Sequence, residues 1–285
     1  MDIRLRPGKP EDAPALGAIC YEAFRAIATA HNFPPDFPSV DIATGFMSMA
    51  LSHPEMYSRV AEIDGRIAGS NFLWEQGPIA GIGPITVDPT RQDSGTGRHL
   101  MEDVLARVAE TGRPGVRLVQ AAYHNRSLSL YTKLGFDPRE PLSVMAGSPL
   151  QLPIPGHDVR SATPSDNDAC NALCIKVHGH ARPGEVRDAI KQGSATIVER
   201  EGRVTGYATV VGFFGHAVGE TNTDVKALIA HAPRFAGLGM LVPARNADLF
   251  RWCLEKGLKV VQPLTLMSRG LYNEPRGAFM PSILF

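Results

Sequence analysis

Three stretches of this 285-residue chain occur twice, in the same order, and that repetition limits the fold more than any other feature. Arg6, Pro10, Asp12 and Cys20 recur as Arg160, Pro164, Asp166 and Cys174, each 154 positions later. Glu62-Ile63-Asp64-Gly65-Arg66-Ile67-Ala68-Gly69 recurs as Glu199-Arg200-Glu201-Gly202-Arg203-Val204-Thr205-Gly206, 137 positions later. Asn125 to Gly135 matches Asn246 to Gly257 at offsets of 121 and 122. Order kept while the offset falls marks two copies of one unit, the second shortened by deletions. It has lost 17 residues between its first helix and its hairpin (154 against 137), and about 16 more before the asparagine segment (137 against 121). Between the copies, residues 147–156 hold three prolines and no periodicity, which reads as an extended, semi-rigid linker. Two domains follow, 1–148 and 158–285, each long enough to bury a core.

Within the first copy, residues 2–6 read as a strand, and Pro10-Glu11-Asp12 opens a helix with acidic residues in its first turn. Tyr57 to Ile63 and Ile67 to Glu75 are strand-like runs joined at Asp64-Gly65, a strong hairpin signal. Gly83 to Val87 is a short β-rich run stopped at Pro89. After Gly97, the apolar residues Leu100, Met101, Val104, Leu105 and Val108 fall at helical spacing. Val116 to Ala122 is again strand-like, and Ser127 to Leu134 a short helix ended by Gly135. The order implies an α+β (mixed α/β) fold, a sheet with helices on its faces, built twice.

Lys plus Arg and Asp plus Glu number 29 each, so no global field draws in nucleic acid. No apolar run approaches the roughly 20 residues that cross a bilayer, and the first residues carry no secretory pattern. Cys20, Cys170, Cys174 and Cys253 show no metal-ligand spacing, so no metal is expected and a reducing cytoplasm is the simplest compartment. Cys170 and Cys174 share a helix face and read as core. His178-Gly179-His180 lacks a third ligand and reads as a surface loop.

One segment carries chemistry. Gln92-Asp93-Ser94-Gly95-Thr96-Gly97 sits between a strand and a helix; Gly95 and Gly97 let backbone approach a ligand, and successive amides can face one concavity. The helix from Arg98 adds the positive end of its dipole, and Arg98 a side-chain charge. A phosphate site and a plain tight turn both fit this pattern. A P-loop does not, for want of Gly-Lys-Ser/Thr, nor does a Rossmann loop, for want of the third glycine.

The segment resembles the pyrophosphate loop of the GNAT acetyltransferases, Gln/Arg-x-x-Gly-x-Gly/Ala. Ile85-Thr86-Val87-Asp88-Pro89 before it is similar to that family's fourth strand, and Asn125 to Phe136, with Leu130-Tyr131 and Gly135-Phe136, is similar to a second family motif. The resemblance covers roughly residues 3–146. It implies two GNAT-like domains, each a mostly antiparallel twisted sheet flanked by helices, and acetyl-CoA as co-substrate. It implies coenzyme contacts from Ile85, Thr86, Val87, Gln92, Asp93, Ser94, Gly95, Thr96, Gly97, Arg98, Asn125 and Tyr131. By the same resemblance the backbone of 85–87 receives the oxyanion and Tyr131 protonates the leaving thiolate. Tyr131 also reads as a packing residue, and Asn125 as a helix N-cap. For the general base, Glu75 near the end of a strand comes first; His124 and a water chain remain alternatives. Phe24, Phe33, Phe37, Phe46 and Met47 line the acceptor side if the resemblance holds, or pack a core if it does not.

The second copy departs from the pattern. No Gln/Arg-x-x-Gly-x-Gly occurs there, Cys253 stands where the first copy has Tyr131, and Gly257-Leu258 replaces Gly-Phe. It is expected to bind no acetyl-CoA and to wall the acceptor cleft, through a tail at residues 276–280. The expectation is an N-acetyltransferase acting directly on a small-molecule primary amine, as a monomer or homodimer, with neither nucleic acid nor membrane as partner. The alternative is a non-catalytic coenzyme A sensor or scaffold.

Overall fold

The computed structural model describes residues 2–284; Met1 and Phe285, the outer bounds of the two domains read above, lie outside the described residues. In the first copy β1 (Ile3–Pro7) leads through a 3-10 turn into α1 (Ala13–Ala30) and α2 (Val40–Ser52). The hairpin β2 (Met56–Ile63) and β3 (Arg66–Trp74) turns at Asp64 and Gly65, whose φ of 52° and 72° are the left-handed pair a two-residue turn needs. Then come β4 (Ile79–Ile82), β5 (Thr86–Val87), α3 (Thr96–Glu110), β6 (Gly115–Ala121), α4 (Asn125–Lys133) and β7 (Asp137–Ala146). The strand expected over 83–87 is thus only its last two residues, and β4, β7 and α2 are additions.

The second copy repeats the plan. It runs β8 (Asp158–Ser161), α5 (Asn167–His178), α6 (Pro183–Lys191), the hairpin β9 (Thr196–Arg200) and β10 (Arg203–Ala208), β11 (Ala217–Gly219) and α7 (Asn222–His231). It ends with β12 (Met240–Pro243), α8 (Ala247–Glu255), β13 (Lys259–Gly270) and β14 (Ala278–Met280). Among the described residues no helix is long and apolar enough to cross a membrane.

The repeat has a physical counterpart. Arg6 bonds Asp12 at 2.7 Å and Glu62 at 2.6 Å, while Arg160 bonds Asp166 at 2.8 Å and Glu199 at 2.7 Å. One guanidinium in each copy ties the first strand, the helix start and the hairpin together. Two sequence offsets, 154 and 137, therefore meet in one three-residue cluster.

The copies are not separate bodies. The larger sheet runs β1-β2-β3-β4-β6-β13-β7-β12, with β5 on β3; the smaller runs β14-β11-β10-β9-β8. So β13 of the second copy lies between β6 and β7 of the first, and β7 pairs with β12. The exchange is reciprocal in register. Leu264 opposes Ala121 and Pro243 opposes Leu142; Met267 opposes Leu118 and Met240 opposes Met145. Adding 122 to each first-copy position gives its second-copy equivalent, so each half lends its last long strand to the other. Alternation then splits the core: Phe72 faces α1 and α2, whereas Leu73 faces α3 and α4. The stretch between the copies is ordered against α7, with Gln151 Nε2 donating to Ala232 O at 2.9 Å.

His178 and His180 are buried, correcting the surface-loop expectation. Gly179, at φ 77°, ends α5 and turns the chain inward, toward Arg117 of β6, Arg182, Glu185 and His216. Burial, and then the two arginines, hold His178 well below its usual pKa; burial with the same arginines brings His180 down to about 4. His216 also falls to about 4, through burial and Arg182. The unfolded chain takes up these protons near 6.5 and the folded one only well below that, near 4 for His180 and His216, so stability falls as pH drops through that window. Asp36, pushed up to about 6 by burial, acts in the opposite sense, but one carboxyl faces three imidazoles. Tm by calorimetry is expected to be lower at pH 5 than at pH 7.5 by several degrees; an unchanged Tm refutes the assignment.

Candidate active site

The two parallel strands β4 and β6 pair only from Ile79 and Gly115 to Gly81 and Arg117. Beyond that point the chain of β4 leaves β6, and β5 continues on β3 alone, at Gly69–Val87 and Ser70–Thr86. The parting of two parallel strands opens a cleft in the sheet. It holds a cavity of about 840 Å³, between residues 82–87 on one side and 118–121 on the other.

At one mouth stands the N-terminus of α3. Its cap residue Gly95 is left-handed, φ 86°, and supplies no side-chain cap, so the first-turn amides are left to water or a ligand. A side chain at Gly97 would meet only ordinary contacts, Leu130 at 3.7 Å and Val87 at 3.8 Å. Packing within the protein does not require glycine there. Ser94 Oγ bonds Arg91 O and Thr96 Oγ1, both at 2.7 Å, and shapes the loop. Arg126 donates to Gln92 Oε1 at 2.7 Å and reaches Asp93 at 3.3 Å, placing a further guanidinium at the mouth.

Ile85, Thr86, Val87, the run Gln92 to Arg98, Asn125 and Tyr131 all line this one cavity. Tyr131 on α4 is 7% exposed, packs edge-on against Phe136, and burial pushes its phenol pKa up. The helix cap expected of Asn125 belongs to His124, whose Nδ1 accepts from Ser127 N at 3.3 Å. Burial and then Arg126 lower its pKa, and with Nδ1 engaged the neutral ring keeps its proton on Nε2. That is a poor arrangement for a base.

Glu75 is not brought to the cavity. It sits just past β3, 12% exposed at its side chain, and accepts two bonds of 3.1 Å from Arg107 on α3, with Arg113 at 3.7 Å. Together with the Asp103 carboxylate, which takes Arg59 and Tyr57 at 2.8 Å, it clamps α3 to the hairpin. Glu75→Gln is expected to cost about 1–2 kcal/mol of stability and to leave the pH dependence of any activity unmoved. A displaced acid limb in that variant would return Glu75 to the site.

Among the described residues two carboxylates line the cavity: Asp93 of the glycine loop, which Arg126 reaches, and Asp36, in the loop between α1 and α2. Among the described residues Asp36 is hydrogen-bonded by Gln262 of β13, whose Nε2 donates to its Oδ1 at 3.2 Å. Tyr123 donates to the other end of Gln262 at 3.4 Å. Phe213, Phe214, Leu264, Ile283 and Leu284 of the second copy close the far wall. The tail expected there, 276–280, instead supplies β14, which completes the smaller sheet on β11.

Residues 21–136 match the family model described as acetyltransferase (GNAT) family. That match lies wholly within the first copy. No curated protein sequence matches the chain. Solved structures match over nearly its whole length. A candidate acetyltransferase from Pyrococcus horikoshii superposes with TM-score 0.74 at 15% identity, covering 99% of this chain and 92% of that one. A GCN5-related N-acetyltransferase from Sphaerobacter thermophilus gives 0.63 at 15%, covering 95% and 96%. A tandem GNAT protein from the clavulanic acid biosynthesis pathway gives 0.55 at 13%, covering 94% and 98%. At such identities the likeness is one of fold.

Within this two-copy architecture the helix starts differ. Where α3 begins at an open glycine, α7 begins at Thr221, whose hydroxyl accepts from Asp224 N while the Asp224 carboxylate accepts from Thr221 N at 2.8 Å. Asp224 is fully buried. A capping box with a buried carboxylate closes the helix start that is left open in α3.

Proposed function

We propose that the chain is an acetyl-CoA-dependent N-acetyltransferase with one coenzyme site, in the GNAT domain, acting on a small-molecule primary amine. The observation that carries the reading is the cavity itself, with an uncapped helix N-terminus at its mouth and Tyr131 on its wall. The diphosphate of the coenzyme fits the first-turn amides of α3, with Arg98 and Arg126 beside them. The pantetheine arm fits the edge of β5 turned toward β6, which carries no strand. The backbone N–H groups of 85–87 then receive the developing oxyanion.

The amine nitrogen forms the new bond to the acetyl carbon, the C–S bond breaks, and the departing sulfur takes the Tyr131 proton. Burial keeps that phenol protonated at neutral pH. The proton shed from the new amide nitrogen returns the phenolate to the phenol. Balanced charge and four buried free cysteines support a cytoplasmic enzyme without nucleic-acid partners, working as a monomer or homodimer.

Thiol release from acetyl-CoA over a panel of amines, with the acetylated product weighed by mass spectrometry, tests the reading. Tyr131→Phe is expected to lower kcat about 100-fold while coenzyme Kd stays within a factor of about three. Tight coenzyme binding with no turnover on any amine supports instead a coenzyme A sensor.

A further inference from the structure

Resting on the acetyltransferase reading, we propose that the acceptor is a primary amine carried on a flat apolar body, its ammonium received by Asp36 and its body by a phenyl wall. The wall is continuous across the two halves. Phe24 and Phe37 lie 5.9 Å apart between centroids, Phe37 and Phe46 also 5.9 Å, and Phe46 stacks on Phe214 at 5.5 Å. All four line the cavity beside Asp36.

A carboxylate on an apolar wall requires a partner, and among the described residues no Lys, Arg or His forms an ion pair with Asp36. Gln262 satisfies one oxygen and leaves the other for a donor from the cavity. An ammonium supplies both the charge and the hydrogen bond, and phenyl faces favour a cation over an anion. Cys20 of α1 and Tyr123 before α4 interact electrostatically with Asp36, and both are pushed up by burial and hence neutral at working pH. His124 lines the same cavity, its pKa lowered by burial, and His31 packs against Tyr123. With burial raising Asp36 to about 6, the carboxylate is ionised at neutral pH and basic enough to take a proton from a bound ammonium. That proton leaves to solvent after the N–C bond has formed. Gln262, delivered by the exchanged strand β13, acts as a positioning residue for Asp36.

The test is titration of the coenzyme-loaded protein with 2-phenylethylamine, ethanolamine and spermidine, followed by steady-state rates. We expect 2-phenylethylamine to bind at least 30-fold tighter than ethanolamine. Asp36→Asn should remove that binding, and Phe46→Ala should narrow the preference at least tenfold. The acid limb of kcat/KM, near pH 6, should vanish in Asp36→Asn and shift in Gln262→Leu, with Gln262→Asn restoring it in part. Equal or better binding of ethanolamine or spermidine, no amine binding at all, or unchanged arylalkylamine binding by Asp36→Asn overturns the proposal. Binding that meets these expectations without turnover overturns the transfer reading and leaves the acceptor site standing.

Discussion

Gly97→Asp is expected to raise the coenzyme Kd more than 100-fold while leaving Tm unchanged or slightly higher. The two halves of that result have one origin. Position 97 is in the first turn of α3, where a carboxylate is favourable to the helix dipole, and aspartate has a better helix propensity than glycine. The added Cβ meets no neighbour closer than 3.7 Å, so the fold has room for it. The same carboxylate fills the space before the first-turn amides and repels a diphosphate. A pure fold defect would lower Tm and affinity together; a spectator glycine would change neither. Calorimetry and a coenzyme titration on one sample separate the three cases.

The second large effect concerns the chain cut at residue 148. That fragment contains every residue proposed to contact the coenzyme, yet it is expected not to fold cooperatively. Without β13 the inner edge of β6 and one edge of β7 lose their ladders, and Val144 and Leu142 lose the partners that Leu264, Leu266 and Leu241 provide. Strands β6 and β7 run parallel to each other in the sheet, each antiparallel to β13, so closing the gap would drag α4 and Tyr131 out of place. Circular dichroism of the fragment should show no sharp thermal transition, and coenzyme should not bind. A cooperative melt with retained binding would mean that the second half is an appendage.

This bears on what could be read from residues alone. The glycine loop, the strand before it and Tyr131 could be singled out together because they form nearly continuous stretches with fixed spacing, and they line one cavity. Asp36 could not. It lies in a loop without periodicity, and its meaning depends on Gln262, 226 positions away. Glu75 misled because a carboxylate beside a strand end resembles a base until its partner is known, and Arg107 is on a helix 32 positions later. The repeat showed that the copies are alike but not that they trade strands, since a repeat records likeness and not pairing. His178 and His180 showed the same limit: a polar pair around a glycine gives no sign that the turn points inward between two halves.

The central claim is asymmetry within a tandem pair: one half holds the coenzyme, and the other completes the acceptor wall. Isothermal titration of the intact chain with acetyl-CoA tests it most directly. One site per chain is expected, lost in Gly97→Asp and retained in Thr221→Gly. Two sites per chain, or one that survives Gly97→Asp, would contradict it.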